Sequence, residues 1–395
     1  MVAAAAIAGV VALVAAIVWW TSDARATISV PAATPVATLK PAKDVPVSLR
    51  QLWTAPSPET SQPLVVAGAV VTGSGRGIEG RDPATGDTLW SYARDLDLCG
   101  VTSVYNYAVA VYPDVRGCGQ VSTVDAKTGL RGPSRSSYSD RKVTLSGDGT
   151  TVLSAGDTRL EMWRSDMVRM LSYGALDAPL KPGTPATPLC RLVSAQASSA
   201  AVSVLESCES QPDLRLTLLR PADEEDTPEL KYVPQKGVPD GSGARVVAVT
   251  DTTTAVYIPV PKPRVDIVDE TGAVIASTVV TAPPSADATM SRAGDLITWW
   301  TGDSVMVFSA NNLQYKYTVA AAGGNVPVGP ATIMAGRLMV PVSSGYDVFD
   351  PATGAGDRHI ALQRPATDHP AGPVVPAVAG SLLLEQRGDE LVALG

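Results

Sequence analysis

The sequence predicts an all-β protein: an eight-bladed β-propeller carried behind an N-terminal transmembrane helix and a Pro/Ala-rich linker. Three observations lead there. A turn of Asp followed by Thr-Gly two or three residues on recurs at spacings of about 40 residues, the size of a four-stranded blade. Its flanks alternate apolar and polar residues in period two, as half-buried strands do. The C-terminus stops one strand short of a full unit, while a lone strand stands near the N-terminus.

The turn is most complete in "GRDPATGDTLW" (residues 80–90), which holds Asp82, Thr85, Gly86 and Trp90. Asp125, Thr128 and Gly129 repeat it in "VDAKTGL", Asp269, Thr271 and Gly272 in "VDETGAV", and Asp350, Thr353 and Gly354 in "FDPATGA". Asn311 anchors a weaker copy in "FSANNLQYK". Each residue type has a reason to be there: Asp bonds its own backbone two residues on, Pro sets φ, and Gly accepts the positive φ that closes the turn. The wide gap between Asp125 and Asp269 holds two eroded copies, strand–turn–strand runs at 158–171 and 214–233.

Placing a strand pair before each corner gives seven units, at 64–94, 100–139, 142–174, 190–235, 245–280, 287–320 and 331–362. An eighth begins at Ala377 and ends with its third strand at Gly395. Its fourth strand is expected from residues 48–56, "SLRQLWTAP", so that strand exchange between the chain ends closes the ring and hides its edges. A seven-bladed ring is the alternative count. A β-sandwich gives no reason for a C-terminus that halts one strand early.

The N-terminus sets the compartment. Residues 2–20 carry no charge and are long enough to cross a bilayer core as a helix, and Trp19 and Trp20 end the run where an interfacial anchor belongs. Residues 1–22 are therefore read as a membrane anchor, with a cleaved signal peptide as the alternative, since "ARA" at 24–26 fits a small-x-small cleavage site. Residues 23–47 read as an extended spacer, able to hold the body at 48–395 several tens of Å from the membrane at about 3.1 Å per residue. The propeller is then a single-pass protein's extracytoplasmic part.

Composition narrows the partners. With 395 residues, 18% charged and a net charge of -8, the chain has a large core and no basic run to offer nucleic acid. Heavy use of Ala, Val, Pro and Gly, with Arg over Lys, matches a high-GC bacterial genome.

The spacing A-x-D-x-x-T-G-x-x-x-W resembles the repeat signature of the pyrroloquinoline-quinone enzymes and their non-enzymatic relatives. "GRDPATGDTLW" fits it except that Gly80 replaces the alanine. The resemblance covers about residues 48–395 and is strong in the first blade; the copies at Asp125, Asp269 and Asp350 lack the tryptophan, which in the family docks each blade onto the next. It implies a propeller and raises the question of a quinone cofactor. The enzymes clamp that cofactor between a tryptophan and a disulfide of adjacent cysteines, beside a calcium ion and an aspartate base. This chain has no adjacent cysteines, and its compact blades leave little to cover a cofactor. It resembles instead the non-enzymatic branch, the propeller lipoproteins that assist outer-membrane protein assembly. That branch implies no cofactor and no catalytic residues, with envelope proteins as partners and the propeller as scaffold. The rival expectation is a sensor with convergent Arg, Asp or Trp side chains in its central channel; a quinone-dependent dehydrogenase is the remote one.

Other candidates for chemistry are weak. His359, in the outer strand of the seventh blade, and His369, in the loop after it, have no Ser-x-Gly elbow or Cys nucleophile to serve. The acidic run 222–229 reads as a solvated hairpin tip, and "GSGRG" at 73–77 joins two strands, whereas a phosphate cradle opens a helix.

Four cysteines check the alignment. Cys99 with Cys118 and Cys190 with Cys208 are 19 and 18 residues apart. The first of each pair is expected just before a blade's first strand and the second just after its second strand, so each pair lies across one antiparallel hairpin. Metal binding is disfavoured by two histidines in all and no C-x-x-C. Two disulfides of sequential connectivity are expected, each worth about 3 kcal/mol in the chain-entropy model. Non-reducing peptide mapping of exported protein checks this: Cys99 joined to Cys190 or Cys208, or four free thiols, would overturn the blade alignment.

Overall fold

The computed structural model describes residues 2–175, 190–209, 211–223, 228–364 and 372–395. Strands at 64–93, 100–136, 144–174, 190–239, 245–279, 289–319, 332–361 and 374–394 form eight antiparallel sheets, the blades of one propeller. The strands of a blade are lettered A to D from the centre outward. A strands of neighbouring blades lie side by side around the channel, and Val374–Ala379 of blade 8 comes back against Leu64–Val66 of blade 1. Eight blades close the circle.

Blade 8 has three strands of its own, Val374–Ala379, Leu382–Arg387 and Glu390–Leu394. Its D strand is Gln51–Pro56, paired antiparallel with Glu390–Leu394, Thr54 opposite Val392 and Pro56 opposite Glu390. Arg50 and Gly395 exchange backbone hydrogen bonds of 3.0 Å in both directions, so the two ends of the sheet region are held together.

Burial explains which strands alternate. The C strand of blade 1, Gly77–Arg81, alternates half-buried and buried residues, whereas the B strand of blade 5, Thr253–Ile258, is buried throughout. A middle strand with another blade on both faces has no solvent side to encode. The core accordingly has eight parts, one in each seam between neighbouring blades. With only two Phe in the chain, the seams pack with Val, Leu and Ala around Trp90, Trp163 and Trp299.

The segment read as a free spacer is not one. Ile28–Val30 adds to the outside of blade 1, Ile28 opposite Ala93 and Val30 opposite Ser91, which gives that blade a fifth strand. Residues 31–50 then run across the ring as a strap. Ala32 and Val36 donate backbone hydrogen bonds to Thr128 and Lys127 of blade 2, and Ala42 donates to Gly380 of blade 8. Val36 is buried in the seam of blades 1 and 2, and Val45 in that of blades 7 and 8. Leu39 packs against the seam of blades 8 and 1. Each valine contributes about 1.5–3 kcal/mol as an upper estimate. Pro and Ala composition suggested an extended chain, which is right, but extension also suits a segment whose backbone is satisfied by the rim of a sheet array.

Before it, a helix spans Val2–Thr21, 20 residues. Among the described residues, no helix is long and apolar enough to cross a membrane.

Removing residues 48–56 leaves the C strand of blade 8 as a bare edge and opens the ring. The truncated protein is expected to melt at a lower temperature and to self-associate. Unchanged melting together with a monodisperse profile in light scattering would show that this strand does not close the propeller.

Candidate interaction site

The recurring corners join C to D strands; those at Asp82, Asp125 and Asp350 share one geometry, and that at Asp269 is one residue shorter. Asp82 Oδ1 accepts from the backbone N of Ala84 (2.8 Å) and Thr85 (3.2 Å), and Asp350 Oδ1 from Ala352 (3.0 Å), Thr353 (2.9 Å) and the Thr353 hydroxyl (2.9 Å). Asp125 does the same with Lys127 and Thr128, and Asp269 with Thr271 and Ala273. The four glycines, Gly86, Gly129, Gly272 and Gly354, take φ of 79°, 72°, 86° and 73° and donate back to the Asp carbonyl. The hydroxyl of Thr271 holds the Asp269 carboxyl below its usual range, and the backbone N–H of Thr353 does so for Asp350.

Blade 6 corrects the alignment by two residues. There Ser309, not Asn311, fills the Asp position: Ser309 N donates to Gln314 O and Leu313 N to Ser309 O, both at 2.9 Å. Leu313 stands where the glycine would, at φ 56° and fully buried, so packing offsets the strain.

The corners are also where blades dock. Trp90 of blade 1 donates from Nε1 to Ala126 O, the residue after Asp125, at 2.8 Å. Trp53, on the closing strand, donates to Pro83 O after Asp82 at 2.9 Å, and the Tyr317 hydroxyl to Pro351 O after Asp350 at 2.9 Å. Burial of Tyr317 in this contact pushes its hydroxyl up to about 12. Trp53 and Tyr317 are residues that the sequence reading missed; the signal for Tyr317 is that it follows Ser309 at the spacing by which Trp90 follows Asp82. Gly80 departs from the alanine of the repeat because a Cβ there would lie 2.0 Å from the Trp90 indole.

Both disulfides are present, Cys99–Cys118 and Cys190–Cys208. Cys190 and Cys208 are cross-strand partners in the A–B hairpin of blade 4, as expected. Cys118 follows the B strand Tyr107–Asp114, as expected, but stands at the start of the C strand Gly117–Asp125, so its bridge ties the third strand to the start of blade 2 and does not close a single hairpin. Glu206 sits with Cys190 and Cys208 at a spacing that a metal ion could use. Both sulfurs are spent in the disulfide, and the carboxylate is already bonded by Arg215 (3.0 Å), Thr217 and the Tyr173 hydroxyl (3.0 Å), so these residues do not fit a metal.

Two further buried carboxylates work in the same way. Glu161 meets Arg135 of blade 2 (3.2 Å), Arg159 (2.5 Å) and Trp163 Nε1 (2.9 Å). Glu385 meets Arg364 (2.7 Å) and Arg387 (2.6 Å), and Arg364 also donates to Val342 O and Gly345 O. Burial works to raise both carboxyls, but the arginines outweigh it and hold them below the ordinary range.

What remains open to a partner is set by the strap. A cavity of about 710 Å³ lies between strap residues Thr38–Ala42 and the A–B turns of blades 1, 2, 7 and 8. Leu39, Val65, Ile333, Met334 and Val378 give it an apolar wall, and Lys127 is its one charged residue among those described. "GSGRG" forms the B–C turn of blade 1 with no helix behind it. Of the acidic run only its ends, Ala222, Asp223, Pro228 and Glu229, lie within the described residues, and His369 lies outside them. His359 is on the D strand of blade 7, 2.7 Å from Asp347.

No family model and no curated protein matches the chain. Solved structures do. The computationally designed Ika8 protein aligns with a TM-score of 0.53 at 13% identity, over 91% of this chain and 99% of its own. The Dos1 propeller aligns at 0.50 and 12%, over 88% and 95%. BamB from Moraxella catarrhalis aligns at 0.47 and 14%, over 88% and 97%. For the Ika8 and Dos1 propellers the likeness, at such identities, is one of fold alone.

Because Glu161 and Glu385 titrate lower when folded than unfolded, their contribution is complete above the ordinary Glu range near ~4.3 and is lost as pH falls through the depressed folded values. Melting followed against pH is expected to show stability falling on acidification below that range. Glu385→Gln leaves Arg364 and Arg387 buried without their counter-charge and should cost about 3–5 kcal/mol at neutral pH. It should also flatten the acid limb. An acid limb as steep as that of the native protein would remove Glu385 from the account.

Proposed function

We propose that the chain is a membrane-tethered extracytoplasmic propeller, built of quinoprotein-type repeats, that works as a protein-interaction scaffold in the cell envelope and not as a quinone-dependent enzyme. The strap carries this reading. It overhangs one rim of the channel, and the cavity beneath it is walled by apolar side chains and turn backbone, with Lys127 as the charged residue. A small-ligand sensor needs several convergent polar anchors in its pocket. A scaffold needs a rigid frame that presents many loops, with affinity supplied by a few anchors among them. Eight blades locked by corner docking supply that frame.

The tether is the helix Val2–Thr21, about 30 Å long at 1.5 Å per residue, with exposed Trp19 and Trp20 at the end where an interfacial anchor sits. The disulfides suit the oxidising side of the membrane. Since the chain joins blade 1 at Ile28, only the short stretch 22–27 separates anchor from body. The propeller is thus held close to the bilayer instead of tens of Å away, and its partners are proteins that lie near the membrane surface.

A reporter active only outside the cytoplasm, fused after Gly395, is expected to be active; activity of a cytoplasm-only reporter there would reverse the topology. The full chain in detergent, titrated with pyrroloquinoline quinone and calcium, is expected to take up no cofactor by absorbance. Stoichiometric uptake with dye-linked alcohol oxidation would replace the scaffold with an enzyme. Crosslinking in membranes followed by affinity capture should retain envelope proteins on the intact propeller and lose them when loop-face side chains are exchanged.

A further inference from the structure

The outer flank of blade 7 carries a group of side chains that neither docking nor the strap uses. Ser344 lies in the two-residue turn between Arg337–Val342 and Gly345–Phe349. Asp347 is on the C strand, and His359 is its register partner on the D strand Gly356–Ala361. His359 Nδ1 lies 2.7 Å from Asp347 Oδ1, and its Nε2 lies 3.4 Å from Ser344 Oγ. Ser344 and His359 are both exposed. Backbone pairing fixes the arrangement, because Leu362 N donates to Ser344 O at 2.9 Å just beyond the D strand.

The order of these contacts has chemical meaning. A carboxylate on Nδ1 selects the tautomer that carries its proton there, which turns the Nε2 lone pair toward the serine hydroxyl. A separation of 3.4 Å is at the loose end of hydrogen bonding, as unliganded nucleophile–base pairs commonly are. Asn325 completes the group: its Nδ2 faces Asp347 Oδ1 at 3.3 Å, and its Oδ1 accepts from Ser344 Oγ at 2.5 Å. At rest the serine proton therefore points at Asn325. Rotation about the Cβ–Oγ bond redirects it to Nε2.

We propose that Ser344, His359 and Asp347 form a hydrolytic site for small, sterically accessible acyl esters. Ser344 Oγ bonds the ester carbonyl carbon as its proton passes to His359 Nε2. The bond from that carbon to the alcohol oxygen breaks, and the alcohol leaves with the proton. Water then attacks the acyl-serine, gives a proton through Nε2 to the departing Ser344 oxygen, and releases the carboxylic acid. Asp347 keeps the imidazole oriented and stabilises its protonated form. The open flank selects the substrate: an ester with an exposed carbonyl and a good leaving group, such as a short-chain aryl ester, reaches Ser344, whereas one that needs a deep acyl pocket finds none here among the described residues. The site goes beyond the scaffold reading and does not depend on it, since it uses the edge of blade 7 and not the loop face.

The test uses the full chain in detergent with two probes, a fluorescent fluorophosphonate and p-nitrophenyl acetate. The fluorophosphonate is expected to label one serine, mapped to Ser344 by peptide mass spectrometry, and to label Ser343→Ala equally well. Ser344→Ala and His359→Gln should lose the label and the ester hydrolysis, and Asp347→Asn should slow hydrolysis by about 10²-fold or more, within the usual range for general acid–base catalysis. Circular dichroism melting of each variant, unchanged from native, separates lost chemistry from lost folding. No label on the native chain, or equal labelling of Ser344→Ala, would overturn the proposal.

Discussion

Closure of the ring is the constraint on which the rest depends. A blade is a sheet with two apolar faces, so it is stable only between two neighbours, and eight seams exist because no blade is terminal. The seam beside the closing blade, between blades 8 and 1, has the smallest buried set among the described residues: Val70, Ala379, Leu384, Leu391 and Ala393. Additional contacts gather there. Trp53 bonds Pro83 O, Gln386 bonds Ser57 O (3.0 Å) and Thr60 (3.1 Å), Arg50 and Gly395 bond each other, and Leu39 of the strap packs alongside. Covalent continuity is missing inside blade 8, between Glu390–Leu394 and Gln51–Pro56, and the pairing of those two strands takes its place.

The buried ion pairs serve the same end at other seams. Arg135 of blade 2 reaches Glu161 of blade 3 and Arg364, after blade 7, reaches Glu385 of blade 8, while the Tyr173 hydroxyl of blade 3 donates a hydrogen bond to Glu206 of blade 4. Burying such pairs gains little over apolar packing, but a mismatched partner is costly. They therefore discriminate against slipped or skipped blade contacts, a hazard in a chain of eight similar units whose seams are mostly interchangeable Val, Leu and Ala.

The strap links this architecture to function. By touching blades 1, 2, 7 and 8 it braces the closure and overhangs the channel rim at once. The same segment joins the N-terminal helix to the ring, so the path from that helix to the body is also part of the brace. A pull on the helix is transmitted to the outer strand of blade 1 and to the corner of blade 2 before it reaches the closing strand.

The sequence by itself determined the blade count, the corner chemistry and the closing strand, because each rests on local geometry: an Asp side chain reaching its own backbone, a Gly at positive φ, strands of period two. It determined the disulfide pairing too, although the Cys99–Cys118 bridge reaches from the start of blade 2 to its third strand and does not close a single hairpin. Where local signals were weak the reading slipped, as at Asn311, whose place belongs to Ser309 because Leu313 takes the glycine's φ inside a packed seam. Three things were decided only by tertiary structure. Residues 31–50 became a strap, since a Pro/Ala segment carries no pattern that says which rim will satisfy its backbone. Trp53 and Tyr317 became docking residues, since their partners are carbonyls one blade away. Ser344, Asp347 and His359 met on one flank because strand register, which no single residue encodes, set them opposite one another.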